Sequence, residues 1–445
     1  MQAQSEKSNE GNAAMKPGRV IVTYARSLMS LVIAQSLSRR GVEVIGCDDV
    51  DFSVMSFSKH VDSVFTHPSI DDDEEGFFEC LLENIKKYKP EDDRPYLLMP
   101  VFSNTQAIAR HRELFEPYIN VAAPLSESIE MVFPKENLAE TALGAGVNIP
   151  KTIHTDDTAA LTKRLRSFKP PFMLKPVAGV GGRGIKTFDT VEQAIEAHSA
   201  FVETHNETPL MQEKVEGEDY CFTGLFKDGE LLAHMAYRNL KSFPADTGAG
   251  TLRETVDDEV FLDQVKKLMG STRWTGVAEI DFLWSGDVND EPILIEVNPR
   301  FWAGLFHSVK SGIDFPWLQY QLFTTDGITA HADAEIGAIT KTPGLWLASA
   351  AQEIAASDFH FDRLKDAWKS GAGGGLKERL SNVAAILGDT IDLDDACFRL
   401  FDSYDVAQNS SDELSEYKDP FTGLGILFII SSLARHGRLP DEVKI

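Results

Sequence analysis

Three side chains with oxygen ligands stand close together in the stretch AEIDFLWSGDVNDEPILIEVNPR, residues 278–300. Asp281 lies in one apolar run, and Glu296 and Asn298 lie two residues apart in the next. Residues two apart in a strand point to the same face, and a carboxylate inside an apolar strand requires a partner or a metal ion. The stretch therefore predicts a binding site for Mg2+, or alternatively Mn2+. The bound ion would also coordinate phosphate groups of a substrate. A surface hairpin with solvated acids is the other interpretation.

These side chains must be positioned by a β-hairpin. The apolar runs Ile280–Trp284 and Pro292–Val297 flank the polar link SGDVNDE, which is rich in turn-forming residues. Arg300 follows Asn298 by two residues and lies on the same face if the strand continues.

A second candidate site is the glycine-rich segment VAGVGGRG, residues 177–184, which follows a predicted strand ending in FMLKP with Lys175. A short strand comes next, so the segment is not a dinucleotide fingerprint, which opens directly into a helix. Ile185 occupies the place of the P-loop lysine. What remains is a loop between two strands whose backbone N–H groups could approach a triphosphate; a flexible hairpin tip is the alternative.

The first 125 residues predict an α/β domain. Buried-type strands at Arg19–Thr23, Val42–Cys47 and Tyr96–Pro100 alternate with helices at Leu28–Arg40 and Phe77–Lys89, the pattern of a parallel sheet. The first turn after a strand, TYARSLMS, lacks G-x-G-x-x-G, which argues against a dinucleotide site.

Further along, a helix is predicted to start around Lys135, and strands are predicted at Leu210–Gly217 and Leu231–Tyr237. The segment Lys241–Thr251 is loop-like and predicts a mobile flap. Residues 331–445 predict a mostly helical extension.

Composition limits the class of protein. The net charge of −26 over 445 residues argues against nucleic-acid binding. Four scattered cysteines and a polar N-terminus predict a cytoplasmic protein with reduced thiols. The most apolar segment, Leu424–Ala434, is shorter than the roughly 20 residues that span a bilayer, so no membrane span is expected.

In their order, the motifs PKENLAETALGAGVNIPKT, FMLKPVAGVGGRGI, MQEKVEGEDY and IDFLW…LIEVNPR resemble the ATP-grasp superfamily over residues 18–321. The segments YRNLKSFPADTGAGT and FWAGLFHSVKSGIDFPWLQYQL are most similar to its carboxylate–amine ligases, which are related to carbamoyl-phosphate synthase and D-alanine–D-alanine ligase. The resemblance implies a disordered tail (1–17), a Rossmann-like pre-ATP-grasp domain (18–125) and an ATP-grasp domain (126–330) of two α+β subdomains, 126–208 and 209–330.

The resemblance also implies a role for each matching residue. ATP would be bound by the phosphate-binding lysines, the glycine loop, the adenine linker and a ribose acid, namely Lys135, Lys175, Gly181, Gly182, Gly184, Glu213, Val215 and Asp219, with Glu218 as the near alternative to Asp219. Asp281, Glu296 and Asn298 match the Mg2+ ligands. Arg300, together with Lys175, would be catalytic, close to the transferred phosphate.

The implied function is an ATP-dependent ligase that joins a small-molecule carboxylate to an amine through an acyl phosphate. A bicarbonate-activating enzyme of the carbamoyl-phosphate or carboxylase type, and a non-catalytic ATP-binding regulatory module, are the alternatives. A homodimer is possible. The sequence does not identify the two substrates.

Overall fold

The computed structural model describes residues 17–177, 184–243 and 249–342, together with the backbone of 411–412. Among them, residues 17–123 and Pro316–Thr329 form one compact unit, and Pro124–Phe315 with residues 330–342 form a second. The predicted disordered tail lies outside the described residues except for Pro17. Most of the predicted helical extension, including Leu424–Ala434, also lies outside them.

The first unit is a parallel five-stranded sheet of the order β3-β2-β1-β4-β5. Its strands are β1 Arg19–Val22, β2 Glu43–Asp48, β3 Ser63–Thr66, β4 Tyr96–Met99 and β5 Asn120–Val121. Its helices are α1 Leu28–Ser38, α2 Glu74–Lys87, α3 Asn104–Arg110 and most of α10, Phe315–Thr325. The central strands β1 and β4 are almost wholly buried, as expected for a parallel sheet covered by helices on both faces. The predicted Rossmann-like α/β fold is confirmed.

The second unit begins with a four-stranded antiparallel sheet of the order β6-β9-β7-β8. It contains β6 Thr152–Ile153, β7 Phe172–Lys175, β8 Lys186–Phe188 and β9 Leu210–Glu213, with α4 Ser126–Val132, α5 Lys135–Ala145, α6 Thr158–Leu165 and α7 Val191–His205 nearby in the chain. A small apolar core that includes Leu161, Phe172 and Ala194 joins α6 and α7 to this sheet.

A larger antiparallel sheet completes the second unit, with the strand order β14-β13-β10-β11-β12-β15. Its strands are β10 Glu218–Lys227, β11 Glu230–Phe243, β12 Ala249–Val256, β13 Gly276–Trp284, β14 Ile293–Asn298 and β15 Ile339–Lys341, and the backbone of β16 Ser411–Asp412 pairs with β15. The helices are α8 Glu259–Thr272 and α9 Leu305–Lys310. The two sheets give two α+β subdomains, as the predicted fold class requires, whereas the predicted bounds of the subdomains stay a prediction. No helix in the described ranges is long and apolar enough to cross a membrane.

One prediction about local structure was wrong, and a second region differs in detail. The segment Lys241–Thr251 is not a loop over its whole length, because β11 runs to Phe243 and β12 begins at Ala249; residues 244–248 lie outside the described residues. In the predicted mostly helical extension, the described residues 331–342 include the strand β15, which pairs with β12; that most of the extension is helical stays a prediction. In both places strand pairing, rather than local composition, decides the backbone conformation.

The hairpin of β13 and β14 contains a β-bulge. Asp281 pairs with Glu296, whereas the next residue, Phe282, pairs with Leu294. Ile295 is therefore an extra residue on β14, which changes the alternation of side chains along that strand.

Candidate active site

A cavity of about 600 Å³ lies within the second unit. This volume is within the range typical of small-molecule sites. Its polar wall comes from both sheets and from α5: Lys135, Lys175, Gln212, Asp219, Asn239, Lys241, Asp281 and Glu296. Its apolar wall includes Leu138, Met173, Ile185, Leu210, Leu283 and Leu294. Such a wall can hold both a flat apolar ring and a charged group.

The acidic part of the wall is assembled by strand register. Asp281 on β13 pairs with Glu296 on β14, and Glu279 pairs with Asn298. On the other side of β13, Asp281 pairs with Cys221 on β10. Because directly paired residues point to the same face of a sheet, the three predicted metal ligands converge as the sequence predicted.

The donor set fits a divalent cation. Asp281 Oδ1 is buried and has no hydrogen-bond partner among the described residues. Burial raises the pKa of Asp281 well above its ordinary value, and the charges of Glu279, Asp219 and Glu296 raise it further. A divalent ion would relieve this repulsion, and carboxylate and amide oxygens are the ligands that Mg2+ prefers. Asp281, Glu296 and Asn298 would hold it.

Two lysines stand beside these acids. Lys135, the first residue of α5, places its Nζ atom 3.5 Å from Glu296 Oε1. Lys175, the last residue of β7, is only 9% exposed and also lines the cavity. The pKa of Lys175 is lowered to about 8, mainly by burial and also by the charge of Lys135, while Glu296 acts in the opposite sense. A bound polyanion would stabilise the protonated form of this lysine.

We expect nucleotide binding to take up a proton at Lys175. At pH 8.5 a lysine with a pKa of about 8 is mostly neutral, and nearby phosphates raise its pKa, so roughly 0.7 proton should be taken up per nucleotide bound. Below pH 7 the lysine is already charged and the uptake disappears. Calorimetric titrations in buffers of different ionisation enthalpy measure the uptake. The Lys175→Arg variant, which stays charged, should show none at pH 8.5; equal uptake in that variant would contradict this role.

Of the three residues predicted to bind the adenine or the ribose, Glu213, Val215 and Asp219, only Asp219 lines the cavity. Asp219 lines it and accepts a 2.7 Å hydrogen bond from Asn239 Nδ2. Glu218 is instead held by Arg238 Nη1 at 3.2 Å, so Asp219 is the better placed of the two acids. Glu213 accepts a hydrogen bond from Lys151.

Neither Glu213 nor Val215 is among the lining residues, whereas Gln212 is. Any contact of Glu213 and Val215 with a nucleotide, which the resemblance assigns largely to backbone atoms, stays a prediction.

The glycine loop is described only at its end. Gly181 and Gly182 lie outside the described residues. Gly184 has φ +77°, and a Cβ atom there would lie 2.9 Å from Pro176 Cγ. Both features exclude a larger residue at this position.

Arg300 lies next to the predicted metal ligands Asp281, Glu296 and Asn298, called here the metal-ligand row, but it does not line the cavity. Its Nη2 atom donates to Asn298 Oδ1 at 3.0 Å, and its Nη1 atom donates to the carbonyl of Phe301 at 3.0 Å. The guanidinium is thereby fixed next to one of the predicted metal ligands.

Several residues of the site were missed from the sequence. Asn239 and Lys241 line the cavity, and Tyr237, two positions earlier on β11, donates to Glu279 Oε1 at 2.5 Å. Arg253 pairs with Asn239 and is only 2% exposed. The available signal was the period of two in YRNLK, which puts alternate polar side chains on one face.

Comparisons with known proteins agree with this geometry. Residues 135–304 match the family model of the ATP-grasp domain. A search of curated proteins found no match. Residues 135–304 therefore form an ATP-grasp domain, and the prediction of an ATP-grasp enzyme of the ligase class is confirmed for this part of the chain.

Solved structures with the same fold include biotin carboxylase from Campylobacter jejuni (TM-score 0.57, 14% identity, covering 72% of this chain and 73% of that one). The N5-carboxyaminoimidazole synthetase from Staphylococcus aureus gives a TM-score of 0.56 at 14% identity and covers 74% and 82%. The L-amino acid ligase from Bacillus licheniformis gives 0.50 at 17% identity and covers 69% and 74%. At these identities the likeness shows a shared fold.

Proposed function

We propose that this protein is an ATP-dependent carboxylate–amine ligase that forms an amide or peptide bond and releases ADP and phosphate. The observation that carries the proposal is the convergence, in one cavity, of two lysines with the carboxylates of Asp219, Asp281 and Glu296. This combination suits a triphosphate with its divalent cation.

The cavity offers complementary parts for ATP. Lys135 and Lys175 would neutralise the phosphates, and Asp219 would accept a hydrogen bond from the ribose. Apolar side chains such as Leu210 and Leu294 would pack against the base. A divalent ion held by the acidic row would supply charge neutralisation between the phosphates.

The chemistry follows from this arrangement. A substrate carboxylate oxygen attacks the γ-phosphorus, the bond to the bridging oxygen breaks, and ADP leaves. The amine nitrogen then attacks the acyl carbon, the carbon–oxygen bond breaks, and phosphate leaves as the nitrogen loses a proton. The chain contributes mainly position and charge: Lys175 and Arg300 would stabilise the transferred phosphoryl group, and the cavity wall would restrict access of water to the acyl phosphate.

Two other functions share the same nucleotide site. A bicarbonate-activating enzyme would use the same lysines and acids with a smaller acid substrate. A non-catalytic module would be expected to have lost a phosphate-binding lysine or a metal ligand. This chain has both lysines, Lys135 and Lys175, and all three predicted metal ligands. The amine dependence of phosphate release separates these possibilities.

The test is phosphate release from Mg2+–ATP, screened over amino acids and other carboxylates with and without a second amine. We expect release that requires both a carboxylate and an amine. With an 18O-labelled carboxylate, one labelled oxygen should appear in the phosphate, because the acyl phosphate passes it on. Release with bicarbonate alone would favour the carboxylase-type alternative, and ATP binding without any turnover would favour the regulatory module.

A further inference from the structure

A buried carboxylate lies next to the metal-ligand row but has no role in the function proposed above. Glu279 on β13 is 8% exposed and does not line the cavity. Its Oε1 atom accepts a 2.5 Å hydrogen bond from Tyr237 Oη, and its Oε2 atom accepts one of 3.3 Å from Asn298 Nδ2. Both oxygens are therefore engaged by side chains of other strands, Tyr237 on β11 and Asn298 on β14.

The Asn298 amide has one defined orientation in this setting. Its nitrogen donates to Glu279 and, at 3.1 Å, to Asp281 Oδ2. Its oxygen accepts from Arg300 Nη2 at 3.0 Å. Turning the amide over would place its oxygen against two carboxylates and its NH2 group against a guanidinium. Only the oxygen of an amide can bind a cation, so the orientation decides whether Asn298 can serve as a ligand.

We propose that Glu279, held by Tyr237, is a positioning residue that orients the Asn298 amide for its role in the metal-ligand row. The inference rests on the proposed function, in which Asn298 is a ligand. An acid that accepts a hydrogen bond from the NH2 group of a ligand amide leaves the amide oxygen available to the ion.

The Tyr237 anchor is itself held in place. Tyr237 is 2% exposed, and a Cβ atom on Gly304 would lie 2.6 Å from its hydroxyl oxygen. The backbone that follows Arg300 therefore packs directly against the hydroxyl group that holds Glu279. This close packing leaves Glu279 little freedom to turn away from Asn298.

The Glu279→Gln substitution tests the proposal. It keeps the size of the side chain and can place an NH2 group opposite the NH2 group of Asn298, which favours the wrong amide orientation. We expect Mn2+ affinity in the presence of ADP, measured by electron paramagnetic resonance, to fall about ten- to hundredfold.

The same substitution in a second variant, Asn298→Asp, shows whether Glu279 acts by orienting Asn298 or by binding the ion itself. The Asn298→Asp variant has oxygen at both ends, so it needs no orientation. In this background Glu279→Gln should change Mn2+ affinity by less than about twofold, which is the non-additivity of two residues acting through one contact. A tenfold loss that persists there would show that Glu279 acts on the ion without Asn298, and the proposal would be wrong.

Two further variants protect the test. Tyr237→Phe keeps every charge and removes one hydrogen bond to Glu279, so Mn2+ affinity should fall about three- to tenfold. If Glu279→Gln does not fold, as judged by circular dichroism, an unchanged affinity in Tyr237→Phe overturns the proposal. Glu254→Gln is the matched control, because Glu254 accepts a 2.8 Å hydrogen bond from Arg238 instead, and its affinity should equal that of the wild type.

Binding of Mn2+–ADP by the wild type tests the proposed function separately from the role of Glu279. A wild-type protein that binds no Mn2+–ADP refutes the proposed function, and the role of Glu279 with it. Normal binding in the wild type and in Glu279→Gln alike refutes only the role of Glu279.

Discussion

A Glu296→Gln variant should lose phosphate release from Mg2+–ATP by about 10³-fold while it stays folded. Glu296 pairs directly with Asp281 across the hairpin, and its carboxylate lies 3.5 Å from Lys135 Nζ. Glutamine keeps the shape of the side chain, so packing on β14 changes little. It removes the negative charge that would bind the cation in the proposed function, and it takes this partner from Lys135. Steady-state phosphate release at saturating ATP measures the effect.

The matched control is Glu230→Gln, which removes an exposed acid at the start of β11 in the same sheet. Its turnover and melting temperature should stay close to those of the wild type. Wild-type turnover in Glu296→Gln would remove Glu296 from the metal site. A large drop in melting temperature would instead indicate a structural role.

The Arg300→Lys variant should lower kcat by about 10²- to 10³-fold, with the KM for ATP changed by less than about threefold. Arg300 uses two guanidinium nitrogens at once, one on Asn298 and one on the Phe301 carbonyl, and a lysine cannot reproduce this planar geometry. Because Arg300 does not line the cavity, ground-state binding of ATP should depend on Lys135 and Lys175.

Arg238→Lys is the control for this experiment. Arg238 also makes two contacts, with Glu254 at 2.8 Å and Glu218 at 3.2 Å, but it is not among the cavity residues. Its kinetic constants should be unchanged. A rise in the KM of Arg300→Lys at constant kcat would assign Arg300 to substrate binding instead of transition-state stabilisation.

Local sequence patterns were sufficient to predict the parts of the site that lie on short, regular strands and helices. The expected strands of the hairpin, Ile280–Trp284 and Pro292–Val297, correspond to β13 and β14 within a few residues. Helix α5 does begin at Lys135, and β7 does end at Lys175. In each case apolar residues alternate or cluster over a few positions, and the charged residue stands at a defined place relative to them.

The rest of the site depends on contacts that are distant in sequence. Glu279 precedes the expected strand, because β13 begins at Gly276. Its hydrogen-bond donor Tyr237 is 42 residues away in the chain. Asn239 and Lys241 lie beyond Leu231–Tyr237, where the strand was predicted, because β11 continues to Phe243 through its pairing with β12. Pairing partners of this kind are set by tertiary structure, which the local sequence does not encode.

The bulge at Ile295 divides the hairpin into two regions with opposite tolerance to changes in chain length. At the tip, residues 285–291 are all exposed, so inserted residues extend into solvent and leave the strand ladder intact. Beyond the bulge, inserting or deleting a residue between Glu296 and Asn298 would shift their pairing with Asp281 and Glu279 and turn one of the two side chains to the opposite face. A peptide tag or fluorophore can therefore be placed between Gly286 and Asn289, whereas the length from Glu296 to Asn298 must stay fixed.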